Sequence, residues 1–372
     1  MTLGLPIGRL PRGTQNALTD VSGVQVGHCT VTDDSNQGVQ TGVTVIRPHP
    51  GNTFREKVIA ACHVINGFGK PFGLVQLGEL GQLESPIALT NTLAVPTVAD
   101  GLLDELLTHN PEIGTSTGSV NPVVAECNDA ILSDLRGRHV RREHVALALT
   151  NAHGGPVAQG AVGAGRGVVA FGLKGGIGTA SRVVSIGDAQ ATIGLLLVTN
   201  LARLEELTIA GKPVGAVLAQ ESGRTDRPSE ASGTGSIVVV LATDAPVDAR
   251  QLGRLLRRVQ NGIARTGPTT ASGSGEVVVG FGTAARIPHF PDADTLSLQV
   301  LREDGPIFDL LFDAVTEATE EAVLNSLFNA ESLRGYRGAH RNAFPRERLH
   351  DLLDKADVLA RSMRSASRPR FF

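Results

Sequence analysis

The residues best suited to chemistry lie where a polar stretch runs directly into an apolar one. Residues 221–235 consist largely of Ser, Gly, Thr, Asp, Arg and Glu, whereas residues 237–241 are an unbroken aliphatic and β-branched run. This contrast predicts a solvated loop followed by a buried strand. Ser236 stands at the junction, directly after Gly235. A hydroxyl at that point is a candidate nucleophile.

A chain that cut its own Gly235–Ser236 bond would leave Ser236 with a free α-amine beside its hydroxyl. An α-amine has a pKa near ~7.7–8.0 and can act as the general base that a hydroxyl nucleophile needs. The alternative is an ordinary loop-to-strand junction in which Ser236 is a turn residue, because short motifs often occur by chance. The local sequence leaves both interpretations open.

Several segments over roughly residues 1–290 resemble self-processing N-terminal-nucleophile aminopeptidases, the group of L-aminopeptidase/D-esterases and β-peptidyl aminopeptidases. In chain order the matching segments are TQNALTDVSGVQVGH (14–28), TGVTVIRP (41–48), LTNTLAVPTVAD (89–100), NPVVAECND (121–129), GRHVRREHV (137–145), GAGRG (163–167), FGLKGGIGTASRVV (171–184), GSIVVVLATDAP (235–246) and ARTGPTTASGSGE (264–276). The resemblance implies a single catalytic domain, residues 1–372, that folds as a four-layer αββα sandwich. It also implies self-cleavage into chains 1–235 and 236–372, and a homotetramer of the processed units.

Asn200 ends the aliphatic run 194–199. A carboxamide at a strand end can donate to a developing oxyanion, and losing such a donor typically costs about 10²–10³ in rate. The resemblance implies this role for Asn200, whereas the residue type alone fits a turn equally well. Leu201 and Ala202 depart from the Phe-Gly expected next in the family, which puts the shape of the pocket wall in question.

Ser274 and Glu276 flank Gly275 at the start of another apolar run, 277–279. Glycine lets the backbone approach closely there, and the carboxylate would lie at the edge of a strand. The resemblance implies that these two side chains relay protons or hold the new α-ammonium. A polar turn with no catalytic role is the alternative.

Glu126 follows the apolar residues 123–125, and a carboxylate at the end of a buried run must be paired or solvated. The resemblance to the family implies that Glu126 binds the free ammonium of the substrate. That charge pair would hold the substrate's N-terminus at one distance from the nucleophile, which is what an aminopeptidase requires. The alternative is a helix-start Glu near the helix dipole.

The stretch Lys174–Gly178 superficially suggests a nucleotide-binding loop. It lacks the third glycine of the dinucleotide fingerprint and the Gly-Lys-Ser/Thr of a P-loop, so we interpret it as a Gly-rich loop lining the active site. No HExxH motif occurs, and His139 and His144 are five residues apart, off one helical face. We therefore expect neither a metal ion nor another cofactor.

Composition excludes several classes of protein. The 372 residues carry a net charge of −3 with 19% charged residues, which does not suggest a nucleic-acid partner. No apolar run approaches the ~20 residues of a spanning helix, and the first residues lack a signal-peptide core, so we expect a cytoplasmic protein without membrane contact. Three cysteines, an odd number, indicate reduced thiols.

Hydrophobic periodicity predicts mixed strands and helices without strict βαβ alternation, which favours an α+β fold. The predicted strands are 24–31, 42–47, 57–65, 86–93, 168–173, 191–198, 214–219, 236–242 and 276–282. The predicted helices are 97–107, 128–135, 141–150, 248–264, 306–330 and 345–361. The dipeptide Asn66-Gly67 predicts a turn after the third strand.

These observations predict a self-processing serine aminopeptidase, amidase or esterase that releases N-terminal residues from small peptides, amides or esters. One alternative is an acyltransferase, in which an amine rather than water captures the acyl-enzyme. The serine at position 236 argues mildly against it, because related acyltransferases use a threonine. The other alternative is a binding protein that never matures.

Overall fold

The computed structural model describes residues 5–33, 38–223 and 235–366, with the backbone alone from 363 to 366. Most of the polar stretch 221–235 lies outside the described residues, so the predicted loop is not described there. Within the described parts, Glu221 and Ser222 belong to a helix, and Gly235 directly precedes a strand.

The strands range from two to fourteen residues. In chain order they are β1 (Gln25–Thr32), β2 (Gln40–Arg47), β3 (Glu56–Gly67), β4 (Gln82–Leu83), β5 (Ile87–Thr90), β6 (Val123–Glu126), β7 (Val169–Ala170), β8 (Leu173–Lys174), β9 (Ile177–Ile186), β10 (Ala189–Asn200), β11 (Ser236–Thr243), β12 (Gly275–Pro288), β13 (Leu333–Arg334) and β14 (His340–Arg341).

The α-helices are concentrated in the second half of the chain. They are α1 (Leu74–Leu80), α2 (Val95–His109), α3 (Arg142–Thr150), α4 (Val214–Ser222), α5 (Ala249–Leu256), α6 (Val259–Arg265), α7 (Ile307–Phe328) and α8 (Leu349–Ala366). None of the helices among the described residues combines the length and apolarity needed to cross a membrane.

Two sheets face each other between two layers of helices. The smaller sheet has the strand order β1-β2-β5-β6, and the larger has β4-β3-β12-β11-β10-β9. Helices α2 and α3 share one apolar core with the outer face of the smaller sheet. Helices α4 to α8 share another with the outer face of the larger sheet. The predicted α+β, four-layer αββα sandwich is confirmed.

Strand β11 lies in the middle of the larger sheet and is buried on both faces. Ile237, Val239 and Leu241 pack toward the helices, whereas Val238 and Val240 pack into the core between the two sheets. Successive side chains of a strand point to opposite faces, so a strand with cores on both sides needs apolar residues at every position. This explains the unbroken run that predicted the strand.

Two predicted elements have the wrong type. The run 214–219, predicted as a strand, forms α4, because a short apolar run fits a buried helix as well as a strand. Residues 128–135, predicted as a helix, form turns, and the backbone carbonyl of Asp129 accepts from Leu132 and Ser133. Glu126 therefore ends strand β6, and the helix-start interpretation of this residue is wrong.

Other predicted elements differ in extent. The helix predicted over 248–264 is divided into α5 and α6, and the strand over 168–173 is the hairpin β7–β8, with Phe171 and Gly172 at positive φ. Asn66-Gly67 ends β3 instead of forming a turn after it. Ile177 and Gly178 belong to the ten-residue strand β9, so the Gly-rich loop is reduced to Gly175 and Gly176.

Candidate active site

Ser236 is the first residue of the central strand β11, and its ladder partners come from both neighbouring strands. It pairs with Asn200, the last residue of β10, and with Gly275, the first residue of β12. Strand ends in a sheet collect side chains that are far apart in sequence, because hydrogen-bonded partners lie side by side. The sheet thus brings three of the predicted segments to one edge.

The Ser236 hydroxyl is buried and surrounded by polar groups. Its Oγ accepts a hydrogen bond from the backbone N–H of Asn128 at 3.0 Å and from Nδ2 of Asn200 at 3.4 Å. The Sγ atom of Cys127 lies 3.2 Å from the same oxygen. Two donors that converge on one oxygen can orient a nucleophile and stabilise negative charge beside it.

The side chains of Ser236 and Asn200 point into the space between the sheets. Each shares its face with residues of the inter-sheet core, Val238 in β11 and Val198 in β10. Side chains two residues apart in a strand lie on the same face of the sheet. Because Asn200 and Ser236 are also paired in the ladder, their side chains lie next to each other on that face. The predicted pair is therefore brought together.

Ser274 lies beside Gly235, and no hydrogen bond joins its hydroxyl to that of Ser236 within the described residues. Its Oγ is buried and has no hydrogen-bond partner among the described residues, and it lies 3.1 Å from where a Cβ would sit on Gly235. The backbone N–H of Gly275 donates to the Gly235 carbonyl oxygen at 3.1 Å. A hydroxyl without a partner next to a polarised peptide bond is free to exchange a proton there.

Glu276 lies on the opposite face of the sheet from the Ser236 hydroxyl. It pairs with Ile237 in the ladder and shares the face of Val278, which packs toward the helices. Its Oε2 accepts a hydrogen bond from Thr270 Oγ1 at 2.8 Å. The register thus places Glu276 beside Ile237 and on the face opposite the Ser236 hydroxyl.

Glu126 ends strand β6 of the smaller sheet, next to Cys127. Its Oε1 accepts a hydrogen bond from the backbone N–H of Lys70 at 3.0 Å, and its Oε2 accepts one from the hydroxyl of Thr92. The carboxylate is buried, and no ion pair to it is found within the described parts of the chain. Two neutral donors orient this carboxylate but leave its charge without a cation, which suits it to bind one.

A pair of buried ionisable groups behind Ser236 was not anticipated from the sequence. Burial raises the pKa of Asp129 to about 7, partly offset by hydrogen bonds from Thr41 and Asn91. Burial lowers the pKa of Lys174 to about 7, and the charge of Arg166 lowers it further. No periodicity or spacing could have revealed these groups, because their neighbours come from distant segments.

Lys174 explains the Gly-rich segment. Its Nζ donates to the backbone carbonyls of Gly165 at 3.1 Å, Val168 at 3.0 Å and Gly175 at 2.6 Å, so the ammonium holds the loop together from inside. The Gly176 carbonyl then accepts from the N–H of Thr199, one residue before Asn200. The loop therefore supports the end of β10 and contributes no side chain of its own to the site.

Cys127 is another residue that sequence reasoning missed. Besides touching the Ser236 hydroxyl, its Sγ lies 3.4 Å from the Ser236 carbonyl oxygen and 3.6 Å from that of Val198. Burial raises the pKa of this thiol far above its usual range, so it stays protonated. A thiol in that state is a packing and hydrogen-bonding group, not a competing nucleophile. All three cysteines are free.

The described residues contain no group of three or more His, Cys, Asp or Glu side chains arranged to hold a metal ion. The contacts of the Ser236 hydroxyl are with a carboxamide, a backbone N–H and a thiol. A buried hydroxyl oriented in this way could serve as a nucleophile if a general base lay beside it.

Comparison with known proteins agrees with this geometry. The model of the peptidase family S58 matches residues 16–341. This chain belongs to peptidase family S58. The beta-peptidyl aminopeptidase BapA of Sphingosinicella microcystinivorans is 37% identical over 373 residues, covering 96% of this chain and 92% of that one. The peptidase described here is therefore a hydrolase of the aminopeptidase kind.

Solved structures show the same fold. A protein from Pyrococcus horikoshii OT3 superposes on this peptidase with a TM-score of 0.88 and 45% identity, covering 95% of this chain and 98% of that one. The L-aminopeptidase D-Ala-esterase/amidase of Ochrobactrum anthropi superposes with a TM-score of 0.85 and 34% identity, covering 95% and 97%. That enzyme is described as a prototype of the serine aminopeptidases and a variant of the Ntn hydrolase fold.

Proposed function

We propose that this peptidase cuts its own Gly235–Ser236 bond and then uses Ser236 as an N-terminal nucleophile. The observation that carries the proposal is the convergence of Asn128 N–H and Asn200 Nδ2 on the Ser236 hydroxyl, directly after Gly235. The products would be chains 1–235 and 236–372, which remain together in one catalytic domain because both contribute strands to the larger sheet.

Self-cleavage begins with attack of Ser236 Oγ on the carbonyl carbon of Gly235. The hydrogen bond from Gly275 N–H to the Gly235 carbonyl oxygen supports this step, because it stabilises the negative charge that develops on that oxygen. The peptide nitrogen of Ser236 leaves as an amine and takes up a proton. Water then opens the resulting ester, leaving a carboxylate on Gly235 and a free α-amine on Ser236.

Hydrolysis of a substrate repeats the same attack with a different acyl group. The α-amine takes the proton from Ser236 Oγ, Asn200 donates to the oxyanion, and the substrate's amine or alcohol leaves with that proton. Water then releases the acyl group from Ser236. Ser274 and Glu276 would support proton transfer at the α-amine. Ser274 Oγ lies next to Gly235, at the peptide bond from which the amine would form, and Glu276 pairs with Ile237, the residue after Ser236.

The substrates we propose are small peptides, amides and esters with a free amino group at their N-terminus. Glu126 would bind that ammonium, because its buried carboxylate has two neutral donors and, among the residues that the structure describes, no cationic partner. The relatives named above are a beta-peptidyl aminopeptidase and an L-aminopeptidase D-Ala-esterase/amidase, and we extend the substrate classes in these names to this peptidase. We further propose that the processed units form a homotetramer in the cytoplasm.

Denaturing mass spectrometry of active protein tests the maturation step. We expect two chains, residues 1–235 and 236–372, and a panel of aminoacyl amides and esters should be hydrolysed only by the processed sample. Full activity from a wholly uncleaved sample would refute the mechanism, because the α-amine does not exist before cleavage. Adding an amine acceptor to the same assay separates hydrolysis from acyl transfer.

A further inference from the structure

Asn66 makes an unusual set of contacts with the turn that carries Ser274. This residue lies near the end of β3, and its ladder partner in β12 is Glu276. Its Nδ2 donates to the backbone carbonyl oxygens of Ala271 at 3.3 Å, Ser272 at 3.1 Å and Ser274. One carboxamide thus binds three carbonyls within four residues.

Those hydrogen bonds restrain the turn from 271 to 274. Ala271 and Ser272 are exposed, so water can replace the Asn66 amide at their carbonyls. Ser274 is buried, and the loss of this donor at its carbonyl would cost free energy and displace the turn. The turn has one internal bond, from the N–H of Ser274 to the carbonyl of Ala271. The Asn66 amide adds side-chain hydrogen bonds from β3 to this turn, which leads directly into β12.

The segment that follows Asn66 contacts the other side of the same turn. A Cβ on Gly275 would lie 2.7 Å from both the Cα and the N of Gly69, so the two backbones touch where no side chain fits. One residue later, the N–H of Lys70 donates to Glu126. Residues 66–70 therefore contact the Ser274 turn at one end and the carboxylate of Glu126 at the other.

We infer that Asn66 is a positioning residue that acts on the reaction through Ser274. The inference rests on the proposed function, in which the Ser274 hydroxyl moves a proton at the Gly235–Ser236 bond and later at the α-amine. That hydroxyl is buried and has no hydrogen-bond partner among the described residues, so its position depends on its backbone. The Asn66 amide fixes that backbone.

Asn66 should therefore affect the chemical steps more than substrate binding. A reacting group misplaced by about 1 Å can cost 10²-fold in rate, even when the change lies outside the reacting atoms. Glu126 keeps its two donors when the Asn66 side chain changes, because both come from Lys70 and Thr92. The ammonium of the substrate should then bind as before.

The test compares Asn66→Ala, Asn66→Asp, Ser274→Ala and the Asn66→Ala/Ser274→Ala double variant. We expect Asn66→Ala to slow both maturation and kcat by about 10²-fold, with KM for a free-amine amide nearly unchanged. Asn66→Asp should slow maturation and turnover more than Asn66→Ala does, because it places a carboxylate against three carbonyl oxygens. If Asn66 were needed only for its volume, Asn66→Asp would be faster than Asn66→Ala, because aspartate has nearly the same size as asparagine.

The double variant asks whether Asn66 acts through Ser274. If it does, adding Asn66→Ala to Ser274→Ala should change the rates little, because residues in one network are not additive. Asn121→Ala is the matched control, since its Nδ2 also donates to a backbone carbonyl, that of Gly73 at 2.8 Å. The control should mature and turn over substrate at the parent rate.

Several results would overturn the inference. Parent-like rates in Asn66→Ala, fully additive losses in the double variant, or failure of both Asn66 variants to fold while Asn121→Ala folds would each make Asn66 a structural residue. The proposed function fails separately: if Ser274→Ala itself matures and turns over normally, the role of Ser274 is wrong.

Discussion

Gly235 and Ser274 are packed so closely that a side chain at residue 235 would press against the Ser274 hydroxyl. A Cβ built on Gly235 would lie 3.1 Å from Ser274 Oγ and 3.4 Å from the carbonyl oxygen of Asn200. Contacts near 3 Å require the neighbour to move, and here the neighbours are a proposed proton carrier and the ladder partner of Ser236. Gly235 is thus constrained by the side chain and backbone that pack against it.

The first prediction is that Gly235→Ala slows maturation at least about tenfold, because the new methyl group displaces Ser274 from the scissile bond. A time course of the two chains on a denaturing gel measures it. Gly253→Ala in α5 is the control, since its Cβ would meet no atom closer than 4.0 Å. Maturation of Gly235→Ala at the parent rate would show that the contact is not significant.

The second prediction concerns the Ser236 hydroxyl. Ser236→Ala removes one oxygen at the start of a buried strand, so the protein should fold with a loss of stability of about 0.5–3 kcal/mol. Maturation and hydrolysis should both disappear, because one oxygen performs both. Ser236→Thr should keep part of each, since it retains a hydroxyl and a β-branched residue suits a strand.

Mass spectrometry and a melting curve decide this prediction. A folded Ser236→Ala protein that still matures or still hydrolyses substrate would move the nucleophile elsewhere, and Ser274 would be the next candidate.

The third prediction concerns Glu126. Glu126→Gln removes the negative charge but keeps the shape, so KM for free-amine substrates should rise by at least about tenfold while the melting temperature changes little. N-acetylated substrates should be poor for the parent protein, because they carry no ammonium. Equal cleavage of N-acetylated and free substrates would make Glu126 structural.

The fourth prediction concerns Asn200. Asn200→Ala removes the Nδ2 donor that lies 3.4 Å from Ser236 Oγ, and kcat should fall by about 10²–10³-fold. Asn329→Ala, which removes a similar bond to the Asn325 carbonyl in α7, should keep the parent kcat. An unchanged kcat in Asn200→Ala would assign the oxyanion to other donors, the backbone N–H of Asn128 first.

The fifth prediction concerns pH. Burial raises the pKa of Asp129 to about 7, whereas an aspartate in the unfolded chain titrates near ~3.9. A raised pKa in the folded state stabilises the fold fully below the unfolded pKa, and this contribution is lost as the pH rises toward 7. The Asp129 contribution to the free energy of unfolding should therefore decrease between about pH 4 and pH 7.

Asp129→Asn removes this titration, so the difference in melting temperature between variant and parent should change in favour of the variant as the pH rises through that range. Lys174 does not interfere, because with a pKa of about 7 it is largely protonated in both states over most of the window. A difference that stays constant from pH 4 to pH 7 would contradict the predicted charge state of Asp129.

The sequence alone predicted the features that a local pattern of residue types encodes. The run 237–241 predicted β11 because a strand between two cores must be apolar on both faces. The family motifs implied the sandwich, and the αββα layers confirm it. The same motifs named Ser236 and Asn200, which the register of β10 and β11 brings into contact.

Only the tertiary structure decided how distant segments combine. The run 214–219 forms a helix, because the elements that it packs against, and not its apolar composition, decide between helix and strand. Asn66, which the sequence marks only as a turn residue, lies against a turn more than 200 positions away in the chain. Glu276 points to the opposite face from Ser236 because of its register with Ile237. Local sequence encodes periodicity and burial, whereas these contacts depend on long-range pairing, which no short window contains.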